Sequence, residues 1–307
     1  MKQIRPSRSL AYFLATALTV ASFTSTTIRA AEAVTTTVTA VGKKNSQPPP
    51  VKKEDIELYQ GKERLQVADW RRGETLFLAV LIDDSLDQSI ASQWSDVRAF
   101  FHAQPPSTYI GVFYGRNGAA MVAQDFTKDH DLAAKALRIP LGGFGAFSSP
   151  YLALQDLIKR LPGNGERRSI LLISSGIDYF RGNFGPTTPD LDPTVESAQK
   201  ANINIWTLYA PDAGHTGRGF FRVSNAQSQL SQLSAETGAE SYYLGFETPV
   251  SYRGYLDEIT THLNNQYLLT FEASGGKKGK FERVRVTSEL PGVEFLVPSL
   301  VYLPKAE

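Results

Sequence analysis

The chain has 307 residues, 42% of them hydrophobic and 21% charged, and no cysteine, which excludes a disulfide framework, a thiolate nucleophile and a lipid-bearing cysteine behind a leader. The formal net charge is +1. Setting aside the four basic residues of the first thirty (Lys2, Arg5, Arg8 and Arg29), where there is no acid, takes it to −3, and a mildly acidic chain is a poor partner for nucleic acid.

Those first thirty residues read as a leader. Lys2, Arg5 and Arg8 form a basic start, an apolar run spans Leu10 to Phe23, and Ala30, Ala31 and Ala33 offer cleavage points. This is the plan of a secretory signal peptide, too short for a good membrane span. Residues 1–30 are therefore expected to be removed on export to the periplasm or beyond, leaving no transmembrane span, the alternative being an uncleaved N-terminal anchor. An exported chain without disulfides has to hold together by core burial.

Residues 31–50 are rich in Thr and Val and end in KKNSQPPP, which reads as a disordered linker. Residues 51–73 read as a β-hairpin, with Ile56, Leu58 and Tyr59 before the turn at Gly61-Lys62 and Leu65, Val67 and Trp70 after it. The near-continuous apolar run 74–83 suits a strand buried on both faces of a parallel sheet.

From there strands and helices alternate. The helix at 89–104 puts Ile90, Trp94, Val97 and Phe101 on one face. Strands follow at 108–115 and 119–126, the second antiparallel at an edge, then helices at 129–139 and 149–161. Further strands are expected at 167–176, 203–210 and 240–246, and further helices at 225–238 and 255–266. This alternation predicts a doubly wound, mostly parallel α/β sheet with helices on both faces, spanning 74–266. Residues 267–307 contain three strand-like stretches and no helix, and predict an antiparallel unit packing with the N-terminal hairpin.

In open α/β sheets, ligands bind beyond the carboxyl ends of the parallel strands. The loop after the first buried strand reads Asp83-Asp84-Ser85-Leu86-Asp87. Carboxylates so crowded repel one another unless a cation or a helix N-terminus neutralises them. Hard oxygen donors at this spacing suit Mg²⁺, Ca²⁺ or Mn²⁺. They suit local capping as well, since Asp87 and Ser89 stand just before the helix at Ile90.

At this point the sequence resembles the von Willebrand factor type A domain, and within it a bacterial branch often called the acidobacterial type. The resemblance spans about residues 51–304 and is carried by LAVLIDDSLDQS, GVFYGRNG, FSSPYLALQDLIKRL, ILLISSGID, AETGAESYYLGF and NNQYLLTFEA. It implies a metal-ion-dependent adhesion site built from Asp-x-Ser-x-Ser in the first loop, a Thr in the second and an Asp in the third, with an acid of the partner protein completing the metal's shell. Carried over residue by residue, Asp83 and Ser85 match. Asp87 stands where Ser is usual, Ser148 or Ser149 stands for the Thr, and Ser175 occupies the place of the third-loop Asp, with Asp178 just beyond as a substitute. The resemblance thus implies a degenerate site on Asp83, Ser85, Asp87, Ser148, Ser149 and Asp178.

Two loops at the same end of the sheet carry contact chemistry. The stretch 178–193 holds Tyr179, Phe180, Arg181 and Phe184, and 211–221 holds His215, Arg218, Phe220 and Phe221. Aromatics beside arginine in long Gly-rich loops are typical of partner recognition, although the same phenylalanines would also serve a core. His102 and His262 fall late in helices, where a surface role is expected, and no two histidines are spaced as ligands on one helix. GGKKGK at 275–280 joins two strands without a following helix and is a charged turn, and there is neither a nucleophile elbow nor a dinucleotide fingerprint. These readings favour a non-enzymatic protein-binding module over a metal-independent envelope scaffold, and both over a metal-dependent hydrolase.

Overall fold

The computed structural model describes residues 32–43, 46–142, 149–180, 187–213, 219–243, 245–246, 250–273 and 278–305. The leader and the tip of GGKKGK lie outside them. Among the described residues no helix is long and apolar enough to cross a membrane.

The central sheet contains β5 (Leu76–Asp83), β6 (Thr108–Arg116), β7 (Ala119–Thr127), β8 (Arg167–Ser174), β9 (Asn204–Tyr209) and β10 (Ser241–Tyr242), in the order β10-β9-β8-β5-β6-β7. All neighbours are parallel except β7, which returns antiparallel to β6. Asn117 and Gly118 both have positive φ at that return, the backbone of a two-residue hairpin turn, for which Asn-Gly is the favoured pair. β10 is much shorter than the strand expected at 240–246.

β5 shows why an unbroken apolar run was needed. Leu78, Val80 and Ile82 enter one core with Trp94, Val97 and Phe101 of α1 (Trp94–Ala103) and Leu256, Ile259 and Leu263 of α6 (Arg253–Asn264). The short α2 (His130–Lys135) closes that face with Ala133 and Ala134. Ala79 and Leu81 point the other way, to Leu154 and Leu157 of α3 (Pro150–Arg160), Val195 and Ala198 of α4 (Leu191–Lys200), and Leu230 and Leu233 of α5 (Phe220–Glu236). Successive strand side chains alternate faces, so a strand covered on both sides must be apolar at every position. The expected doubly wound sheet with helices on both faces is therefore present. The helix α4 was missed because its start lies in DLDP, which reads as loop.

A second body packs beside it. One sheet has the order β14 (Val293–Leu296), β1 (Glu32–Gly42), β11 (Gln266–Ala273), β4 (Val67–Arg71). Facing it are a three-stranded sheet of β13 (Val284–Ser288), β2 (Ile56–Gln60) and β3 (Glu63–Leu65), and the pair β12 (Lys280–Glu282) with β15 (Val301–Leu303). Their shared core includes Val34, Val38, Leu58, Trp70, Leu269, Phe271, Val286 and Leu303. Trp70 stacks on Tyr267 at 4.5 Å and donates its indole N–H to the carbonyl of Val51.

This body corrects the reading of residues 31–50. Glu32–Gly42 is no linker but the eleven-residue β1, paired antiparallel with β11 along its length and with β14 at its end. The physical reason lies in VTTTVTAV. Val and Thr are β-branched and favour extended backbone, and Val34, Val38 and Ala40 are buried. The polar look of four threonines masked a strand; Thr36, Thr37 and Thr39 are buried too. The expected hairpin at 51–73 is likewise narrower: β2 and β3 form it, and β4 crosses to the other sheet.

Candidate functional site at the carboxyl end of the central sheet

The strand order reverses at β5, which has β6 on one side and β8 on the other. The crevice beyond β5 and β8 is the topological switch point, where such sheets bind ligands. β5 ends on Asp83 and β8 on Ser174, so the strands themselves deliver both side chains there.

Asp83 is buried, with donors from Ser85 and Ser174 on its carboxylate. The Ser85 N–H and hydroxyl approach its Oδ1 at 3.0 and 2.7 Å, and the Ser174 hydroxyl approaches Oδ2 at 3.0 Å. The fourth member comes from the loop after β9, the stretch 211–221, where the expected contact residues are His215, Arg218, Phe220 and Phe221 and Asp212 is not among them. Leu86 and Asp212 form an antiparallel bridge, flanked by the Asp87 N–H on the Pro211 carbonyl and the Ala213 N–H on the Ser85 carbonyl, both at 3.1 Å. This zipper lays the buried Asp212 against Ser85, whose Oγ lies 3.5 Å from Asp212 Oδ1. The Tyr179 hydroxyl donates to the other oxygen of Asp212 at 2.6 Å, and the Ser175 hydroxyl donates to the same carboxylate.

Burial, then the nearby charge of Asp83, push the carboxyl of Asp212 up to about 7, against the opposing bonds from Ser175 and Tyr179 and the positive charge of Arg222. A proton on Asp212 relieves the repulsion between the two carboxylates. The donors of the pair are all oxygen: two carboxylates with hydroxyls from Ser85, Ser174, Ser175 and Tyr179 around them. That set fits a hard divalent ion. Asp212 also brings a carboxylate into reach of Ser175, where the resemblance leads one to expect an acid. The clue in the sequence was its place just past the end of β9, the same positional rule that singled out Asp83.

Gly176 closes the third loop with φ 73°. A side chain there would meet the Ala226 carbonyl at 2.9 Å and Leu230 at 2.7 Å, so only glycine lets α5 pack this close to the Ser174-Ser175 turn.

The other expected ligands go elsewhere. Asp87 caps the 3-10 turn Gln88–Gln93, taking the Ser89 N–H at 2.9 Å, and the Ser89 donors hold its carboxyl below the usual value. Ser149 caps α3, accepting the Leu152 N–H at 3.3 Å. Asp178 accepts from the Phe180 N–H at 3.0 Å and the Thr188 hydroxyl at 3.2 Å. Ser148 lies outside the described residues. Asp84, neighbour to Asp83, turns the other way and takes both terminal nitrogens of Arg138 at 2.7 and 3.0 Å and the Leu141 N–H at 2.9 Å. The Arg138 guanidinium also covers the Tyr114 ring at 3.7 Å.

The contact residues divide as well. Tyr179 faces inward onto Asp212, while Phe180 is exposed. Phe220 and Phe221 stand on the first turn of α5, 55% and 80% exposed, packed edge to face at 5.6 Å. Arg181, Phe184, His215 and Arg218 lie outside the described residues. His262, expected at the surface, is buried against Trp206; burial pulls its imidazole below the ordinary value although Glu240 pushes the other way.

No family model and no curated protein matches the sequence. Solved structures give distant likenesses. An aerotolerance-related membrane protein from Bacteroides fragilis matches over 62% of this chain and 98% of its own, at 13% identity and a TM-score of 0.45. A von Willebrand factor type A protein from Catenulispora acidiphila covers 91% of this chain and 75% of its own, at 10% identity and a TM-score of 0.47. The manganese-loaded TRAP protein from Plasmodium vivax covers 79% and 97%, at 12% identity and a TM-score of 0.43. Likeness this distant says nothing of what the chain binds. By the order and direction of its own strands, with the acidic loop at their switch point, the central body of this chain is a doubly wound α/β sheet, the fold class that the resemblance to the von Willebrand factor type A domain implies.

Proposed function

We propose that this chain is an exported, adhesion-type protein-binding module that works through the carboxyl end of its central sheet. The convergence of Asp212 from β9 on Asp83 and Ser85 from β5 carries the reading. In it, Asp83, Ser85 and Asp212 hold Mg²⁺, Ca²⁺ or Mn²⁺, with Ser174 and Ser175 positioning the two carboxylates. The ion supplies an electrophilic centre for a carboxylate of the partner protein. Phe180, Phe220 and Phe221 form the apolar rim that such an interface needs around a charged centre. The mildly acidic balance of the mature chain disfavours nucleic acid as the partner.

A second reading has its own support. Asp212, with its carboxyl raised to about 7, can be neutralised by a proton, which leaves a metal-free scaffold whose polar end is structural.

Partner capture separates the two. The mature chain, immobilised and exposed to envelope and extracellular proteins, should retain a partner that chelator releases. F220S/F221S should weaken capture at least tenfold while leaving the melting temperature within about 1 °C, because exposed side chains contribute little to stability. Capture that survives both chelator and the double substitution favours the scaffold.

A further inference from the structure

A second cluster of donors lies away from the Asp83–Asp212 crevice, where α6 packs against β10. Glu258 and His262 are one turn apart on α6 and so share a face. Glu240 enters from the residue before β10. One donor atom from each of the three lies within 4.8 Å of the other two, and His262 Nδ1 is 3.6 Å from Glu240 Oε2. The Tyr242 hydroxyl stands among them, 3.0 Å from Glu240 Oε2, 3.3 Å from Glu258 Oε1 and 3.3 Å from His262 Nδ1.

One phenolic proton cannot serve three acceptors, and two carboxylates drawn onto one imidazole repel each other. The imidazole is locked in place, buried and packed on Trp206 at 5.3 Å. The side chain of Glu240 is 34% exposed, which leaves a way in from solvent.

We propose that Glu240, Glu258 and His262 form a site for a borderline transition ion, Zn²⁺ or a close relative, distinct from the all-oxygen pair at the sheet end. One imidazole nitrogen with two carboxylate oxygens is a donor set that such ions favour over Mg²⁺ or Ca²⁺. In a tetrahedral site with bonds of about 2.1 Å, ligand atoms stand roughly 3.4 Å apart, so the three need to draw in by an ångström or so, within the reach of two glutamate side chains. The Tyr242 hydroxyl, bonded to both carboxylates, orients them as outer-shell partners do. Three protein ligands leave a fourth position open to water or to an incoming group. The proposal does not depend on the Asp83–Asp212 reading.

Cobalt is the probe. The purified full chain, stripped with chelator, should bind one equivalent of Co²⁺ with a visible absorption band stronger than that of the aqueous ion, and Zn²⁺ should bleach it. E240Q and E258Q should each weaken Co²⁺ binding at least tenfold while retaining the wild-type circular dichroism spectrum. Both positions are partly exposed, so if one variant loses its fold the other carries the comparison. The double variant D83N/D212N should keep the band. Absence of the band in the wild-type chain, its persistence with unchanged affinity in the glutamine variants, or its loss in D83N/D212N would overturn the proposal.

Discussion

Removal of Glu32–Gly42 is expected to abolish cooperative folding of the antiparallel body. β1 has a partner on both sides, β11 along its length and β14 at its end, so its loss strands two backbone edges at once and exposes the core that holds Leu269 and Phe271. Val34 and Val38 alone contribute about 1.5–3 kcal/mol each by burial. The broken ladders and the exposed faces of β11 and β14 bring the total near the 5–15 kcal/mol that holds a whole domain together. A chain beginning at Val51 should therefore lose the sharp thermal transition of one beginning at Ala31 and bind a hydrophobic dye. If instead it melts sharply near the same temperature, β1 contributes nothing to the fold.

The second large effect concerns Asp212 and pH. Its folded value of about 7 lies above the ordinary 3.8. The folded state therefore holds the proton more tightly than the unfolded chain does. The resulting stabilisation is complete below pH 3.8 and is lost as pH rises through about 7. A gap of some three pH units corresponds to about 4 kcal/mol at most. D212N mimics the protonated form. In metal-free buffer it should melt above wild type at pH 8, and the difference should shrink steadily toward pH 5. A D212N chain less stable than wild type at pH 8, with no change of slope between pH 5 and 8, would show that Asp212 is charged and satisfied in the fold.

The doubly wound body was legible because its signals are redundant. The runs at β5 and β8 are apolar at nearly every position, which only a strand covered on both faces requires, and Asn117-Gly118 marks the return to the edge strand. The site was half legible. Asp83 and Ser85 stand two residues apart at a strand end, and position alone marks them. Asp212 stands more than a hundred residues away in a loop that looked interesting for its histidine and arginine, and nothing local announces that Leu86 and Asp212 will bridge. Asp87 and Ser149 were ambiguous in principle, since a residue fit to ligate a metal is also fit to cap a helix, and both are seen accepting the N–H of a capped turn. β1 was misread because four threonines make a strand look polar, while their branching makes it a strand. His262 was misplaced because a helix's outer face and its buried face differ only by what packs on them, here Trp206 and Tyr242.

Metal-dependent stability at two pH values bears most directly on the Asp83–Asp212 pair. Mg²⁺, Ca²⁺ and Mn²⁺, each titrated to millimolar concentration against the mature chain at pH 8, should raise the melting temperature by ligand linkage for at least one ion. The gain should be smaller at pH 5.5, where a proton competes for Asp212, and should vanish in D212N and D83N. A flat response to all three ions at pH 8, or an equal gain in wild type and D212N, would contradict a divalent ion at this pair.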